Sequence, residues 1–421
     1  MAILQLQSAN PQFSFLIKKN PDSGMILRTI RKGTAFGWFS DNHIFNIYFK
    51  DAENEVSYKR SENENFEYLN LSRYNTPLFP LNALNEFFSA TLRAQDERDV
   101  EGYEHSLFIN MIHIERIHYI QFFSNHLHDF SFEIQHLAHM SYSLTVKTQK
   151  SLYQLLHVAS VLCVFLAITG NERFHISDSL LEKYIKSLQV MEAPFYIRSL
   201  FSRNFLLTRE LYHRYKSSLE QSKREVISFE YGSTAQQRRA FIENLLPFDK
   251  SILDVGCGEG FYAIPFAGKL ESSYYAIDIN EEAMQAVKRK AEKKELDNVI
   301  PMLSIDQFLW EYNGEQVDVI LTEVIEHMSL EEAAKLIRHI CQEVHFEYFV
   351  ITTPNADFNR YYALTSYRHD DHKWEMGEAA FRQWLNDVTW DMQVHCEFVG
   401  IGDCVNNIQT TQGAILRKRG E

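Results

Sequence analysis

The sequence predicts an α+β domain over residues 1–230 and an α/β domain over residues 231–421, the latter with a mostly parallel, seven-stranded sheet. The α/β domain is predicted because short apolar segments alternate with amphipathic ones from Thr234 onward. That alternation is typical of a parallel sheet with helices on both faces. The first apolar segment also runs directly into a glycine-rich turn, SILDVGCGEG at residues 251–260. The α+β domain is predicted because strand-like segments open the chain and helical blocks close its first half.

The first half opens with segments rich in aromatic and β-branched residues, separated by turn-forming residues. Strands are therefore predicted at residues 13–17, 25–30, 34–39 and 43–50, with an exposed polar loop at 51–67. Helical spacing predicts helices at residues 81–92, 177–192 and 195–220. The polar segment from Gln221 to Ser233 predicts the domain boundary.

The most apolar run of the chain is Leu152–Thr169. Its length is borderline for a membrane span, and His157 lies inside it. A helix buried in a protein core is therefore expected, and no membrane partner is predicted.

Composition restricts the classes of protein that this chain can be. The net charge of −14 disfavours broad binding of nucleic-acid phosphates over the whole surface, so any RNA contact has to be local or shared with a partner. The five cysteines form no CxxC pair, which indicates reduced thiols rather than a zinc site or a disulfide framework. The first residues lack the basic and apolar regions of a signal peptide. A cytoplasmic location is therefore expected.

In the second half, strands and helices are predicted in alternation. The strands are Ile252–Val255, Tyr274–Ile277, Val299–Leu303, Val317–Thr322, Tyr348–Thr352, His395–Gly400 and Gly413–Leu416. The helices are 234–246, 261–269, 281–295, 329–344 and 377–390. In such a sheet a ligand binds at the carboxyl ends of the strands.

The glycine-rich turn predicts a nucleotide-type cofactor. Gly256 and Gly258 have no Cβ to obstruct the cofactor, Gly260 lets the next helix pack closely, and Asp254 can orient the turn. Asp278 ends the second strand roughly 20 residues later, where an acid binds ribose hydroxyls.

Two polar residues follow the third strand. Ser304 and Asp306 are positioned to meet an adenine amino group. The pattern D-x-G-C-G-x-G resembles the class I S-adenosylmethionine methyltransferases rather than the NAD fingerprint G-x-G-x-x-G. The resemblance covers about residues 235–416 and implies a Rossmann-like fold with S-adenosylmethionine as cofactor.

Candidate metal ligands follow the fourth strand. Glu323, Glu326 and His327 are three and four residues apart, so a helical turn starting there would place them on one face. Two carboxylates and an imidazole can hold a divalent cation. Many small-molecule methyltransferases carry a similar E-x-x-E-H without a metal, so the motif by itself leaves both alternatives open.

The segments TTPNADFN (352–359) and SYRHDDHKWEMGEAAFRQW (366–384) resemble the Hua-enhancer family, the small-RNA 3′-terminal ribose 2′-O-methyltransferases. The matching residues are Thr353, Pro354, Asn355, Asn359, Arg368, Asp371, His372, Lys373, Trp374, Glu375 and Trp384. The chain departs from the family pattern at Asp357 and Met376, where Glu and Trp are usual. At Trp374 the pattern allows Phe or Trp, of which Phe is the more usual.

The resemblance implies the metal ligands Glu323, Glu326, His327 and His372, with His369 as the alternative to His372. Mixed carboxylate and imidazole ligands suit Mn²⁺ better than Mg²⁺. The implied reaction is methyl transfer to the 2′-hydroxyl of a 3′-terminal ribose of RNA. His327 or His372 is then the candidate catalytic base, and Arg368 and Lys373 are candidate phosphate contacts.

In bacteria the family acts in RNA repair, which implies three partners: RNA with a free 3′ end, such as cleaved tRNA, a polynucleotide kinase-phosphatase and an RNA ligase. The first half has no catalytic motif, so the resemblance makes it a partner-docking, ligase-supporting module. Two other hypotheses remain. One is a small-molecule O-methyltransferase with an unrelated N-terminal domain, and the other is a scaffold that keeps the methyltransferase domain for assembly.

Overall fold

A computed structural model of the protein describes residues 2–30, 33–50, 74–170 and 177–418. The chain divides into two compact units. The N-terminal unit comprises Met1–Leu207 and Ser217–Arg224, and the C-terminal unit comprises Thr208–Lys216 and Glu225–Glu421. The boundary predicted between residues 230 and 231 falls just inside the C-terminal unit and stays a prediction. The loop predicted at 51–67 lies outside the described residues.

The N-terminal unit contains a seven-stranded antiparallel sheet with the strand order β2-β3-β4-β1-β5-β7-β6. Its strands are β1 Ala2–Ser8, β2 Ile26–Ile30, β3 Gly33–Asp41, β4 Ile44–Lys50, β5 His105–His113, β6 Phe130–Ala138 and β7 Ser141–Thr148. Its helices are α1 Phe13–Leu16, α2 Leu78–Phe87, α3 Ser89–Arg93, α4 His118–His126, α5 Leu152–Thr169, α6 Asp178–Val190 and α7 Phe195–Phe205. Helix α8, Arg209–Glu220, contributes residues to both units.

Most of the predicted N-terminal elements are present, but the strand predicted at 13–17 is wrong. That segment begins with helix α1, which buries Phe13 and Leu16 on one side. The side chain of Asn10 accepts a hydrogen bond from the amide of Gln12 at 2.8 Å, and this local turn starts the helix. A short apolar run does not by itself distinguish a strand from one helical turn.

Helix α5 has the bounds of the most apolar run, and it is a core helix as predicted. Among the described residues it is the one helix long and apolar enough to cross a membrane, yet 83% of it is buried within the protein. The buried carboxylate of Asp99 accepts from the amides of Leu152 and Tyr153, both at 2.8 Å. Asp99 thereby satisfies amides of the first helical turn that have no partner within the helix.

The C-terminal unit contains an eight-stranded sheet with the strand order β11-β10-β9-β12-β13-β15-β14-β8. Its strands are β8 Ile227–Ser228, β9 Ser251–Val255, β10 Tyr274–Ile277, β11 Val299–Met302, β12 Val317–Thr322, β13 Phe346–Pro354, β14 Val394–Val405 and β15 Ile408–Lys418. Its helices are α9 Thr234–Leu245, α10 Ala263–Ala267, α11 Glu281–Lys293, α12 Ile305–Glu311, α13 Leu330–Glu343 and α14 Glu378–Thr389.

The five strands from β11 to β13 are parallel to one another, and β15, β14 and β8 pair antiparallel. The mostly parallel α/β fold is therefore confirmed. Among the strands and α-helices of this unit, the sequence prediction missed the two-residue edge strand β8 and helix α12. Apolar clusters fill both faces of the sheet, so its polar ligand-binding edge is left at the carboxyl ends of the strands.

Strand β12 carries a buried carboxylate, Asp318, near its amino end, which is the end away from that ligand-binding edge. Its side chain accepts a hydrogen bond from the Tyr348 amide at 3.3 Å, and its other oxygen has no partner among the described residues. Burial raises the pKa of Asp318 to about 7, although nearby Lys250 acts to lower it. Between about pH 4 and pH 7 the folded chain therefore binds a proton that the unfolded chain has lost, and stability falls as pH rises.

Asp318→Asn is expected to stabilise the C-terminal unit, because the amide keeps the acceptor oxygen and removes the buried charge. The gain in free energy of unfolding should be larger at pH 8 than at pH 5, by about 2 kcal/mol. Urea titration of the full chain at the two pH values measures this difference. The control is Glu331→Gln in the same unit, whose side chain is 77% exposed. A gain that is equal at both pH values would contradict the assignment of this pH dependence to Asp318.

Candidate functional site

The glycine-rich turn after β9 has a conformation that requires glycine. Gly256 has φ +76°, and a Cβ there would lie 2.3 Å from a methyl group of Val324. Gly258 has φ +52° and faces open space, which leaves room for a ligand. A Cβ on Gly260 would lie 3.0 Å from a methyl group of Val287 in α11, so the missing side chain lets that helix pack closely. The turn therefore has the shape expected for close approach of a cofactor.

Two acids lie beside this turn. Asp278 accepts hydrogen bonds from the amides of Gly258 and Asn280, both at 2.9 Å. Asp254 is fully buried and accepts from the Tyr274 hydroxyl on the neighbouring strand at 2.7 Å. Burial raises the pKa of Asp254 to about 7. The carboxylate that holds the turn is therefore that of Asp278, whereas Asp254 links β9 to β10.

A cleft of about 750 Å³ opens at the carboxyl ends of β9, β10 and β12. Its walls include three of the predicted cofactor residues, Gly256, Asp278 and Ser304. They also include two of the predicted metal ligands, Glu323 and His327. The structure thus brings residues from four separate sequence segments to one concave site.

Ser304 and Asp306 differ in where they lie. Ser304 is on the cleft wall, and its hydroxyl caps α12 by accepting from the Gln307 amide at 3.1 Å. The carboxylate of Asp306 is 85% exposed and lies 3.9 Å from Nε2 of His339. It is not part of the cleft wall, so the structure gives no support to the predicted contact of Asp306 with an adenine group.

Three predicted metal ligands lie together beside the cleft. Glu326, His327 and His372 each offer one ligand atom, and these atoms lie within 4.8 Å of one another. Glu326 and His327 belong to a 3₁₀ turn that follows β12, and His372 precedes α14. Nδ1 of His327 lies 3.1 Å from a carboxylate oxygen of Asp371, so its Nε2 is the nitrogen left for the cluster. We call these three residues the Glu326–His327–His372 cluster.

Glu326 has the environment of a metal ligand. Its side chain is fully buried, and one oxygen accepts from the Thr353 hydroxyl at 3.0 Å. The other oxygen has no partner among the described residues. Burial, followed by the charge of Glu323, raises the pKa of Glu326 to about 8. A buried carboxylate with a free oxygen beside two imidazoles fits a divalent cation, which would supply the missing countercharge.

Glu323 lies outside the cluster. The 3₁₀ turn begins at Ile325, and Glu323 precedes it with a left-handed backbone, φ +55°. Its carboxylate accepts from the Thr352 hydroxyl at 3.2 Å and lies 3.2 Å from a guanidinium nitrogen of Arg238. The expectation that a regular helical turn places Glu323, Glu326 and His327 on one face is therefore wrong for Glu323. Sequence reasoning missed the role of Arg238, which belongs to no recognised motif in α9.

His372 is oriented by a buried carboxylate. Its Nδ1 lies 2.6 Å from Glu375, which also accepts from the Asn359 side chain at 2.6 Å and the Arg368 amide at 2.7 Å. Burial acts to raise the pKa of Glu375, but these hydrogen bonds outweigh it and lower the pKa. An ionised Glu375 can only accept hydrogen bonds, so Nδ1 of His372 has to carry the proton that it donates to Glu375. The unprotonated Nε2 of His372 is then left to act as a metal ligand or as a base. The alternative ligand, His369, has its ring 5.1 Å from His372 and is not part of the cluster.

The two candidate phosphate contacts, Arg368 and Lys373, differ in how exposed their side chains are. The guanidinium of Arg368 donates to the Asn359 side chain and the Asn355 carbonyl, both at 2.7 Å. It is largely buried, and burial lowers its pKa. Lys373 is exposed and borders the cleft. Arg368 therefore holds the site together within the protein, and the Lys373 side chain is the one of the two that is open to a phosphate.

The departure from the family pattern at Asp357 has a structural role. Its carboxylate accepts from the Glu378 amide at 2.9 Å, at the first residue of α14. A Cβ on Gly377 would lie 2.6 Å from the same carboxylate. The short acid and the glycine therefore fit together as the cap of α14.

Comparison with known protein families decides the classification. A family model described as "Hen1 N-terminal domain" matches residues 3–224, which is more than half of the chain. The chain belongs to the Hen1 family. A second model, described as "Methyltransferase domain", matches residues 252–344 and includes the glycine-rich turn and the 3₁₀ turn. The predicted Hua-enhancer resemblance is thus confirmed for the chain, and its second half matches a methyltransferase domain.

Curated relatives of this Hen1 chain carry the name "Small RNA 2'-O-methyltransferase". The protein from Caenorhabditis elegans is 26% identical over 180 residues, covering 36% of this chain and 41% of the relative. The protein from Rattus norvegicus is 26% identical over 212 residues, covering 44% of this chain and 51% of the relative. The chain therefore spans about half the length, or less, of these relatives.

A solved structure also resembles the whole Hen1 chain. A chain in "Structure of the Pnkp1/Rnl/Hen1 RNA repair complex" matches with a TM-score of 0.79 and 24% identity. The match covers 99% of this chain and 100% of that chain. At this identity the match establishes the fold, and it does so over both units.

Proposed function

We propose that this chain transfers a methyl group from S-adenosylmethionine to the 2′-hydroxyl of the 3′-terminal ribose of RNA, with Mn²⁺ or Mg²⁺ as metal cofactor. The observation that carries the proposal is the Glu326–His327–His372 cluster beside the cleft that the glycine-rich turn lines, with His327 on the cleft wall. A small-RNA substrate is supported by the name of the curated relatives.

The proposed cofactor site uses the turn after β9. S-adenosylmethionine supplies a methyl group bonded to a positively charged sulfur. Gly258, with open space over its Cα, lets the cofactor approach the backbone, and Asp278 is the acid positioned for ribose hydroxyls. Asp254, Gly256, Gly260 and Ser304 complete the proposed cofactor set, in which Gly256 and Gly260 shape the turn and Asp254 links β9 to β10. Asp306 was also predicted to belong to it but lies outside the cleft wall.

The proposed metal ligands are Glu326, His327 and His372, with Glu323 as the predicted fourth. Held by these residues, a divalent cation would supply the Lewis acidity that favours the ionised form of a ribose hydroxyl. Only a free 3′ end offers a 2′- and a 3′-hydroxyl on the same ribose, which explains a preference for RNA termini. The buried Glu326 contributes the negative charge, and Glu375 keeps His372 in the required tautomer.

The proposed reaction transfers one methyl group to the RNA and one proton from the RNA. The 2′-oxygen forms a bond to the methyl carbon as the bond from that carbon to sulfur breaks. The hydroxyl proton passes to an imidazole nitrogen, for which the candidates are Nε2 of His327 or His372. A nitrogen that binds the metal has no lone pair for a proton, so the base would be the one of these two histidines that does not hold the cation during this step. Positioning of the two reactants in one cleft supplies much of the rate.

We also propose that the chain acts in an RNA repair complex with a polynucleotide kinase-phosphatase and an RNA ligase, on RNA such as cleaved tRNA. The fold match to a chain of the Pnkp1/Rnl/Hen1 RNA repair complex supports these partners. The N-terminal unit is the proposed docking and ligase-supporting module. Copurification of residues 1–230 with the ligase or the kinase-phosphatase tests this assignment.

The reaction is tested by transfer of a tritiated methyl group to a short RNA with a free 3′ end. Labelling is expected with Mn²⁺. When EDTA removes the metal, labelling should fall at least a hundredfold, which corresponds to a barrier higher by about 3 kcal/mol or more. Excess Mn²⁺ should restore it. The same RNA with a 2′-deoxy terminus should remain unlabelled, because it lacks the attacking oxygen.

Three results would overturn the proposal: labelling of the 2′-deoxy terminus, indifference to EDTA, or methyl transfer to a small molecule with no RNA present. The last two are what a metal-independent small-molecule methyltransferase would give. The scaffold hypothesis instead predicts that no acceptor is labelled at all.

A further inference from the structure

The Glu326–His327–His372 cluster joins two segments that are far apart in sequence. Glu326 and His327 lie in the 3₁₀ turn after β12, whereas His372 lies in the segment that leads to α14. The spacing of the ligand atoms therefore depends on the contacts that join these two segments. A role of these contacts in positioning the metal ligands rests on the proposed metal-dependent function.

Besides the contact of His327 Nδ1 with Asp371 at 3.1 Å, two hydrogen bonds to backbone carbonyls join the segments beside the ligands. The backbone amide of Lys373 donates to the carbonyl of Glu326 at 2.8 Å. The indole N–H of Trp374 donates to the carbonyl of Met328 at 2.9 Å. The donors are the two residues after His372, and the acceptors are Glu326 itself and the residue after His327. The first bond is available to any residue except proline, but the second requires a side chain with a donor in this position.

The rest of the Trp374 side chain is fixed in the core of the C-terminal unit. It is 7% exposed and belongs to the apolar cluster that includes Ile325 and Phe381. Its ring also packs against Trp384 of α14, with centroids 5.5 Å apart. A rigid aromatic ring therefore connects the core to the carbonyl that ends the ligand-bearing turn.

We propose that Trp374 is a positioning residue for the metal site, holding Glu326 and His327 at the correct distance from His372 through its indole hydrogen bond to Met328. Phenylalanine fills a similar apolar space but cannot donate this hydrogen bond. In this chain the coupling of the two segments is thus stronger than ring packing alone provides.

The test is Trp374→Phe in the chain of 421 residues, with Mn²⁺ affinity measured by electron paramagnetic resonance in the absence of RNA and cofactor. Loss of one neutral hydrogen bond weakens a coupled interaction by about three- to tenfold, and we expect Mn²⁺ binding to weaken by that factor. The kcat at subsaturating Mn²⁺ should fall by a similar factor and recover at high Mn²⁺. The affinity for S-adenosylmethionine should not change.

Trp384→Phe is the matched control, because it alters the other ring of the same packed pair and leaves the Trp374–Met328 hydrogen bond in place. It should leave Mn²⁺ affinity within about twofold of the wild type. The inference is overturned if Trp374→Phe binds Mn²⁺ as tightly as the wild type, or if both variants weaken binding equally. If the wild-type chain itself binds no Mn²⁺, the proposed metal dependence fails and the inference fails with it.

Discussion

Glu326→Gln is expected to reduce methyl transfer to RNA by about a thousandfold, which corresponds to about 4 kcal/mol in the barrier. The amide keeps the shape of the side chain and the acceptor for the Thr353 hydroxyl, but it removes the negative charge that the cluster offers to a cation. The measurement is single-turnover transfer of a tritiated methyl group at saturating Mn²⁺ and RNA. Mn²⁺ affinity should fall in parallel.

The stability of this variant should move in the opposite direction. Burial raises the pKa of Glu326 to about 8, so the folded chain disfavours the ionised form. Replacing the acid by a neutral amide removes that cost, and the free energy of unfolding without metal should stay the same or rise. Glu331→Gln is the control, since its side chain is 77% exposed and it should change neither quantity. An inactive variant that is also destabilised would show that Glu326 has a structural rather than a metal-binding role.

The sequence predicted the C-terminal unit better than the N-terminal unit for a physical reason. Each central strand of a parallel sheet is buried on both faces and reads as a continuous apolar run, so β10 and β12 were predicted with their observed bounds. In the N-terminal unit the decisive factors are local. At residues 13–17 an Asn10 turn, rather than the apolar content, selected a helix.

Site prediction from sequence had a different limit. Spacing and family resemblance selected Glu326, His327 and His372, which lie in recognisable motifs, and the structure brings these three residues together. Spacing could not reveal that Glu323 adopts a left-handed backbone and pairs with Arg238, because that contact comes from a distant helix. Nor could a pattern of residue types show that the Asp254 carboxylate accepts a hydrogen bond from the Tyr274 hydroxyl. Residues that hold other residues in place are visible only once the chain is folded.

The second large effect is expected at the glycine-rich turn, where Gly256→Ala should lower the affinity for S-adenosylmethionine at least a hundredfold. Two costs combine at this position. The backbone has φ +76°, which costs a residue with a Cβ about 1–3 kcal/mol. The new Cβ would also lie 2.3 Å from a methyl group of Val324, so one of the two segments has to move. Val324 directly follows Glu323 and precedes the 3₁₀ turn, so the displacement reaches both the cofactor turn and the metal ligands.

Gly258→Ala separates the steric cost from the backbone cost. Gly258 also has a left-handed backbone, but nothing lies within 4 Å of its missing Cβ, so this variant should lose only about 1 kcal/mol of stability. Adding Val324→Ala to Gly256→Ala should restore part of the lost stability, because it removes the methyl group that collides with the new side chain. Isothermal titration with S-adenosylmethionine and urea unfolding of the single and double variants measure the two effects. Equal destabilisation by the two glycine substitutions, with no rescue by Val324→Ala, would show that contact with Val324 is not what requires glycine at 256.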